Sequence, residues 1–356
     1  MKTYRNLYPQ VWNFENLLMA YRKARKGKRG KIYVAAFERQ QEEELFALQE
    51  QLRQKTYAPG AYNSFYVHEP KQRLISAAPF KDRVAHHALC QVIEPLWEPR
   101  FIYDSYANRI GKGTHRALNR ATGFARRYRY FLQCDVRQFF PSIDHAILRA
   151  EIARLVGDKD VLWLCDVILE SGVGVLSEAY EMNYFDGDDL FAVNRPRGLP
   201  IGNLTSQFLA NVYLNSFDHF VKRELKCLAY LRYVDDFLLF ADDPRVLLAW
   251  LAAIRDKMAS LRLTIHEESA RVNAVSDGIP FLGFRLYPEH RRVKRRKVIH
   301  YRRKVRYMAT EAAESFEKQD RLKASLRGWI NHVRHGNTWG LRRSILNFRV
   351  PAPVSA

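Results

Sequence analysis

Two adjacent aspartates, Asp235 and Asp236, interrupt an apolar stretch that runs from Tyr230 to Phe240. Its flanks are rich in aromatic, leucine and β-branched residues, so they read as buried strands. The polar pair between them reads as the tight turn of a hairpin. Asp is common in turns for its local hydrogen bonding, so a plain hairpin turn is one reading. The flanks support another, because they hold two anions side by side on a rigid, partly dry support. Such charges repel, lose hydration and raise a carboxyl pKa unless a cation is present. A divalent metal would resolve that conflict. The rest of the chain must then supply a third carboxylate and something for the metal to act on.

Composition narrows the partner. The chain has 356 residues, enough for two or three domain-sized units, and 47% of them are hydrophobic, enough for a sizeable core. Lys and Arg number 58 against 38 Asp and Glu, a net charge of +20. That excess points to a polyanion, nucleic acid first and an anionic membrane second. No run of about 18 apolar residues is present to span a bilayer. Met1 to Gln10 shows no apolar core of a secretory signal. Cys90, Cys134, Cys165 and Cys227 are scattered without a metal or disulfide spacing, which fits a reducing cytoplasm.

Patterning along the chain predicts alternating helices and strands. An aromatic segment from Tyr8 to Tyr21 runs into a basic stretch from Arg22 to Lys31. Residues 35–55 predict one amphipathic helix with Phe37, Leu45, Leu48 and Leu52 on its apolar face. Residues 63–77 alternate as a hairpin, with Lys71 and Arg73 at or near its turn, fit either to grip a triphosphate or to blunt an edge. A helix is expected over 80–97; its neighbours His86 and His87 point to different faces and cannot readily share a metal. Gly111-Lys112-Gly113-Thr114 lacks the Walker spacing, but as a loop and helix start it suits a nucleic-acid backbone, with Lys112 and His115 as contacts.

Residues 130–136 read as a buried strand carrying Asp135, followed by Phe139 and Phe140 and by helices near 143–155 and 157–171. Ser142 or Asp144 can cap the first of these helices. Residues 172–198 read as an exposed insertion; its Asp186, Asp188 and Asp189 lack calcium-loop spacing and read as solvated. Gly198 to Gln207 leads into one long helix through Val221. After the Asp-Asp hairpin come a helix, short strands at 261–265 and 271–275, and a hairpin at Phe281-Leu282-Gly283. Residues 291–306 hold ten cations, including Arg291, Arg292, Lys294, Arg295, Arg296 and Lys297. That density exceeds what a solvated face needs and suggests phosphate-backbone binding. The remainder reads as helical.

Asp135 ends one apolar strand, and Asp235 and Asp236 sit in a hairpin far downstream. Neighbouring antiparallel strands would unite them as a site for two divalent ions about 3.5–4 Å apart, the geometry of phosphoryl transfer. Here the chain resembles a known family. Asp135-Val136-Arg137-Gln138-Phe139-Phe140 is similar to the first catalytic motif of reverse transcriptases, and Tyr233-Val234-Asp235-Asp236 to their Y-x-D-D motif. Leu199-Pro200-x-Gly202 matches the motif between them, and Phe281-Leu282-Gly283 resembles the primer-grip hairpin. The resemblance covers roughly residues 55–287. It implies an α+β right-hand polymerase: fingers, a palm with an antiparallel sheet packed on helices, and a C-terminal helical thumb. The expected division is a basic extension over 1–54, fingers and palm over 55–287 with the insertion at 172–198, and a basic thumb over 288–356.

The same resemblance implies residue roles. Asp135 and Asp235 would bind two Mg2+ ions, with Mn2+ as a substitute, assisted by the Val136 carbonyl and supported electrostatically by Asp236. Arg73, with Lys71, would contact the triphosphate, and Phe140 would stack under the sugar and exclude a 2′-hydroxyl. Ile201 and Gly202 would line the nucleotide site. No general acid for pyrophosphate departure is evident after 261–265, where Arg271 and His266 are the residues at hand. Most relatives carry Gln where this chain has Ile201, and Ile201-Gly202-Asn203-Leu204-Thr205-Ser206-Gln207 resembles the enzymes of diversity-generating retroelements. Asp104-Ser105-Tyr106-Ala107 and Gly111 to His115 also resemble that group. That subgroup implies mutagenic copying of a template RNA into cDNA from dNTPs, with errors at template adenines and help from a small basic accessory protein oligomer. Alternatives are a retron or group II intron-like enzyme of ordinary fidelity, or an RNA-binding scaffold of phage defence with an inactive polymerase fold.

Overall fold

The computed structural model describes residues 3–68, 72–312 and 314–346. At its centre is a four-stranded antiparallel sheet in the order β4-β5-β3-β6. These strands are β3 (Tyr130–Asp135), β4 (Tyr230–Tyr233), β5 (Asp236–Ala241) and β6 (Arg271–Ala274). Period-two alternation buries both faces. Leu132, Cys134, Phe237 and Leu239 join the large core on one side. Phe131, Leu231, Leu238 and Phe240 join a second core on the other, with Phe281, Phe284 and the helix Thr114–Ala125. Mixed helix and antiparallel sheet make this the expected α+β fold.

Two smaller sheets flank the centre. β1 (Asn63–Val67) and β2 (Arg73–Ala77) form the expected hairpin. β7 (Ile279–Phe281) and β8 (Phe284–Leu286) form the second, joined by β9 (Arg291–Val293), which opens the basic run. Lys294 stands at the N-cap of the helix Arg295–Glu311, which carries the rest of that run and is followed by helices Phe316–Val333 and Trp339–Leu346. The aromatic N-terminal segment packs into the main core through Leu7, Tyr8, Val11, Leu17 and Tyr21. Among the described residues no helix is long and apolar enough to cross a membrane. All four cysteines are free and buried.

Three expected elements differ. The helix over 35–55 is two helices, Ile32–Arg39 and Gln41–Arg53, because Gln40 leaves the helical region at φ −124° and ψ 36°. Phe37 packs edge-on against Phe80 at 5.0 Å, while Leu45, Leu48 and Leu52 enter the core separately. The long helix after Asn203 breaks at Leu214 into Leu204–Tyr213, Asn215–His219 and a π-helical turn Phe220–Glu224. Residues 261–265 form no strand; Arg262 sits at φ +53°, outside the β region, and only Ile265 bridges to Val136. Asp144, not Ser142, caps the helix His145–Ala153, accepting from the Ile147 amide at 3.0 Å.

Candidate active site

The β3–β5 register sets Asp135 directly opposite Asp236. β4 and β5 are joined by the two-residue turn Val234-Asp235, so all three carboxylates meet at one end of the central sheet. Like charges directly opposite one another destabilise a ladder, so this pairing needs a compensating reason. Burial, followed by repulsion from Asp135, raises the Asp235 pKa from 3.8 to about 6. Burial raises that of Asp236 to about 7, against a hydrogen bond from Gln133 that lowers it. The Gln133 amide donates to Asp236 Oδ1 at 2.9 Å and to the Pro280 carbonyl at 3.1 Å, tying the carboxylates to the β7–β8 hairpin.

Three cations act on this cluster. Arg73, at the start of β2, and Arg232, buried in β4, lower the Asp235 pKa, and Lys294, just after β9, lowers that of Asp236. Its place in the basic run marks Lys294 only as a backbone contact, yet its charge is felt by the carboxylates. Gln133 also went unnoticed, although a lone amide in an apolar strand was its signal.

The donor set suits a hard divalent cation. Among the described residues no group of three or more His, Cys, Asp or Glu side chains is arranged to hold an ion. Mg2+ does not need such a cage, because one or two carboxylates plus substrate phosphates commonly bind it. Asp135 and Asp235 supply carboxylates. The bridge between Val136 and Ile265 uses the Arg137 amide and the Asp135 carbonyl and does not engage the Val136 carbonyl. Asp236 is already held by the Gln133 amide.

The Pro200–Ser206 segment is stitched to β2. Gly202 sits at φ +117°, and a Cβ there would meet Ile75 Cγ2 at 2.9 Å, so only glycine allows this approach. The Ile201 carbonyl accepts from the Ser76 amide at 2.8 Å. Buried Asn203 donates to the Ser76 carbonyl at 2.9 Å and accepts from the Ala78 amide at 3.1 Å, a role its sequence context did not signal. Half-buried Phe140 lies in the short helix Phe139–Ser142, and its carbonyl accepts from the Leu199 amide at 2.9 Å. Lys71 lies outside the described residues.

Other expected contacts divide into inward and outward sets. Lys112 donates to the Tyr103 carbonyl at 2.7 Å and lies over the Tyr103 ring at 3.4 Å. His115 stacks on His335 with ring centroids 3.6 Å apart. Arg291 donates to Thr122 Oγ1 at 2.8 Å and is half-buried. Arg292, Lys294, Arg295, Arg296 and Lys297 are exposed. His86 is buried, its Nδ1 3.4 Å from Thr205 Oγ1, and burial lowers its pKa to about 3. The reading of Asp188 as a solvated loop residue is corrected: it pairs with Arg262 and Arg195, and the Arg262 hydrogen bond lowers its pKa to about 2. Sequence spacing gave no hint of an arginine 74 positions away.

Comparison with known proteins agrees with this geometry. The family described as reverse transcriptase (RNA-dependent DNA polymerase) matches residues 67–286, more than half of the chain. Protein YkfC of Escherichia coli strain K12 is 24% identical over 302 residues, covering 72% of this chain and 74% of YkfC. The group II intron-encoded protein LtrA of Lactococcus lactis subsp. cremoris is 26% identical over 183 residues, covering 51% of this chain and 28% of LtrA. Nuclear intron maturase 2, mitochondrial, of Arabidopsis thaliana is 26% identical over 179 residues, covering 45% of this chain and 24% of that protein. The matches to these two intron proteins thus span about a quarter of their length. With its carboxylates gathered on the palm-like sheet and the family matched over most of its length, the chain belongs to the reverse transcriptase (RNA-dependent DNA polymerase) family.

Proposed function

We propose that the protein copies a template RNA into cDNA from dNTPs, and that it is the mutagenic enzyme of a diversity-generating retroelement. The observation that carries the polymerase reading is Asp135 opposite Asp236 with Asp235 in the adjoining turn. Two Mg2+ ions held by Asp135, Asp235 and the Val136 carbonyl would supply activation of the primer 3′-hydroxyl and charge neutralisation at the departing pyrophosphate. Arg73 orients the triphosphate, consistent with its electrostatic reach to Asp235. Phe140 bounds the sugar. The exposed Arg292 and Lys294 to Lys297 follow the backbone of template and primer.

The retroelement reading rests on Ile201. Its backbone is fixed to Ser76, so its side chain replaces, at a defined place, an amide that would hydrogen-bond the base pair. Sites that read hydrogen bonds discriminate far better than apolar ones. A small basic accessory protein belongs to the same reading. A group II intron-like enzyme of ordinary fidelity is the second reading, favoured by the similarity to LtrA and to nuclear intron maturase 2.

Sequencing cDNA made on a defined RNA separates the two. Errors concentrated at template adenines, reduced in Ile201→Gln, support the retroelement reading. Uniformly low error on the native template supports the intron-like one.

A further inference from the structure

Beneath the Asp235 turn lies an ion pair that the mechanism above does not use. Arg232 is fully buried, one of the largest such side chains in the protein. Its Nε donates to Asp218 Oδ1 at 2.8 Å and its Nη2 to Asp218 Oδ2 at 2.7 Å, a bidentate fork. Asp218 also accepts from the Tyr230 hydroxyl at 2.6 Å. The remaining terminal nitrogen, Nη1, makes two bonds. One reaches Asn211 Oδ1 at 3.2 Å, and the other reaches the Val234 carbonyl at 2.9 Å.

That last bond matters because of what Val234 must do. Val234 is the first residue of the two-residue turn and sits at φ +59°, while Asp235 does not take a positive φ. This is the II′ pattern, which ordinarily takes glycine at its first position. A β-branched residue in the left-handed region is a genuine outlier, and it persists only when its surroundings over-determine it. The surroundings here are specific. Arg232 holds the Val234 carbonyl from below, and the Val136 amide holds the Asp235 carbonyl at 3.2 Å from β3. The peptide units on both sides of Asp235 are therefore held. Asp218 and Asn211 come from the two short helices on either side of the break at Leu214, so the interrupted helix carries the anchor to the turn.

We propose that Arg232, locked by Asp218, is a positioning residue for Asp235: it holds Val234 in the left-handed turn and so presets the carboxylate before the metal ion arrives. A buried ion pair contributes little net stability, so its presence here fits a positional duty. The proposal rests on the reading of Asp235 as a metal ligand.

The test uses the full chain and steady-state primer extension on an RNA template with dNTPs, titrated with Mg2+. Arg232→Lys keeps the charge beside Asp218 but lacks the planar fork that also spans to Val234. Its expected effect is a fall in kcat and a rise in half-saturating Mg2+, each on the order of tenfold to a hundredfold, as for one lost charge-assisted hydrogen bond. Binding of primer and template is expected to stay within about twofold of the parent, since the bond acts only on the turn. If Arg232→Lys does not fold, the neutral pair Asp218→Leu with Arg232→Met replaces it, since an apolar substitute for a buried ion pair is often tolerated. The decisive outcome is rescue. Adding Val234→Gly, which adopts positive φ at no steric cost, should recover at least several-fold of the lost kcat. A merely structural arginine would show no such rescue. Unchanged kcat and Mg2+ dependence in a folded Arg232 variant, or loss that Val234→Gly does not relieve, would overturn the proposal. Asp235→Ala run alongside separates the two failures: extension surviving that change would overturn the metal-ligand reading itself.

Discussion

Asp235→Asn should make the metal-free protein more stable while abolishing its activity. The Asp235 carboxyl is raised from 3.8 to about 6, chiefly by burial and then by Asp135. A group raised in the folded state contributes stability that is complete below its unfolded pKa and is lost as pH climbs through the folded value. At about pH 8 the ionised carboxylate therefore costs the fold about 3 kcal/mol, at roughly 1.4 kcal/mol per pKa unit. Asn keeps the shape and removes the charge. Because Asp135 and Asp236 share the repulsion, the expected gain in EDTA is about 1–3 kcal/mol. In thermal denaturation that is a rise of a few degrees. The gain should shrink as pH falls from about 6 to about 4, where Asp235 becomes protonated in both states. Saturating Mg2+ should stabilise the parent and close the gap, because the ion binds the folded parent more tightly than the variant. A variant no more stable than the parent at pH 8 in EDTA would refute this reasoning, as would a gain independent of pH.

Other substitutions probe the surroundings. Gly202→Ala brings a Cβ to 2.9 Å from Ile75 Cγ2 at φ +117°, so it should cost about 1–3 kcal/mol in melting experiments and raise the KM for dNTP. Gln133→Leu removes the donor to Asp236, which should raise that carboxyl pKa further and move the acid limb of the Mg2+-dependent pH–rate profile upward. An unmoved limb would show that Asp236 does not titrate in activity. Phe140→Ala should admit ribonucleotides, read as a rise in rNTP incorporation relative to dNTP; no rise would remove Phe140 from sugar selection.

The hairpin and its carboxylates were legible because the signal is local. Short, nearly continuous apolar runs, the mark of strands buried on both faces, pick out β3 and β5, and each breaks at an aspartate. Antiparallel pairing then dictates that Asp135 meets Asp236. Expectations failed where a long-range contact overrode a local preference. The break at Gln40 accompanies the packing of Phe37 on Phe80, and nothing in the helical pattern of 35–55 announces it. Asn203 looks like an ordinary helix start, yet its amide is spent on Ser76 and Ala78 far upstream. Asp188 reads as solvated until Arg262 is folded against it. Arg232 in an apolar strand was visible, but its partner Asp218 lies past a helix break that periodicity does not signal.

The most direct test is primer extension on a heteropolymeric RNA template by the full chain and by Asp235→Ala, with RNA binding measured on the same samples. The account predicts Mg2+-dependent DNA synthesis by the parent and loss of synthesis with unchanged RNA binding in the variant. Synthesis that persists in Asp235→Ala would contradict it, as would a parent that binds RNA and extends no primer with Mg2+ or Mn2+.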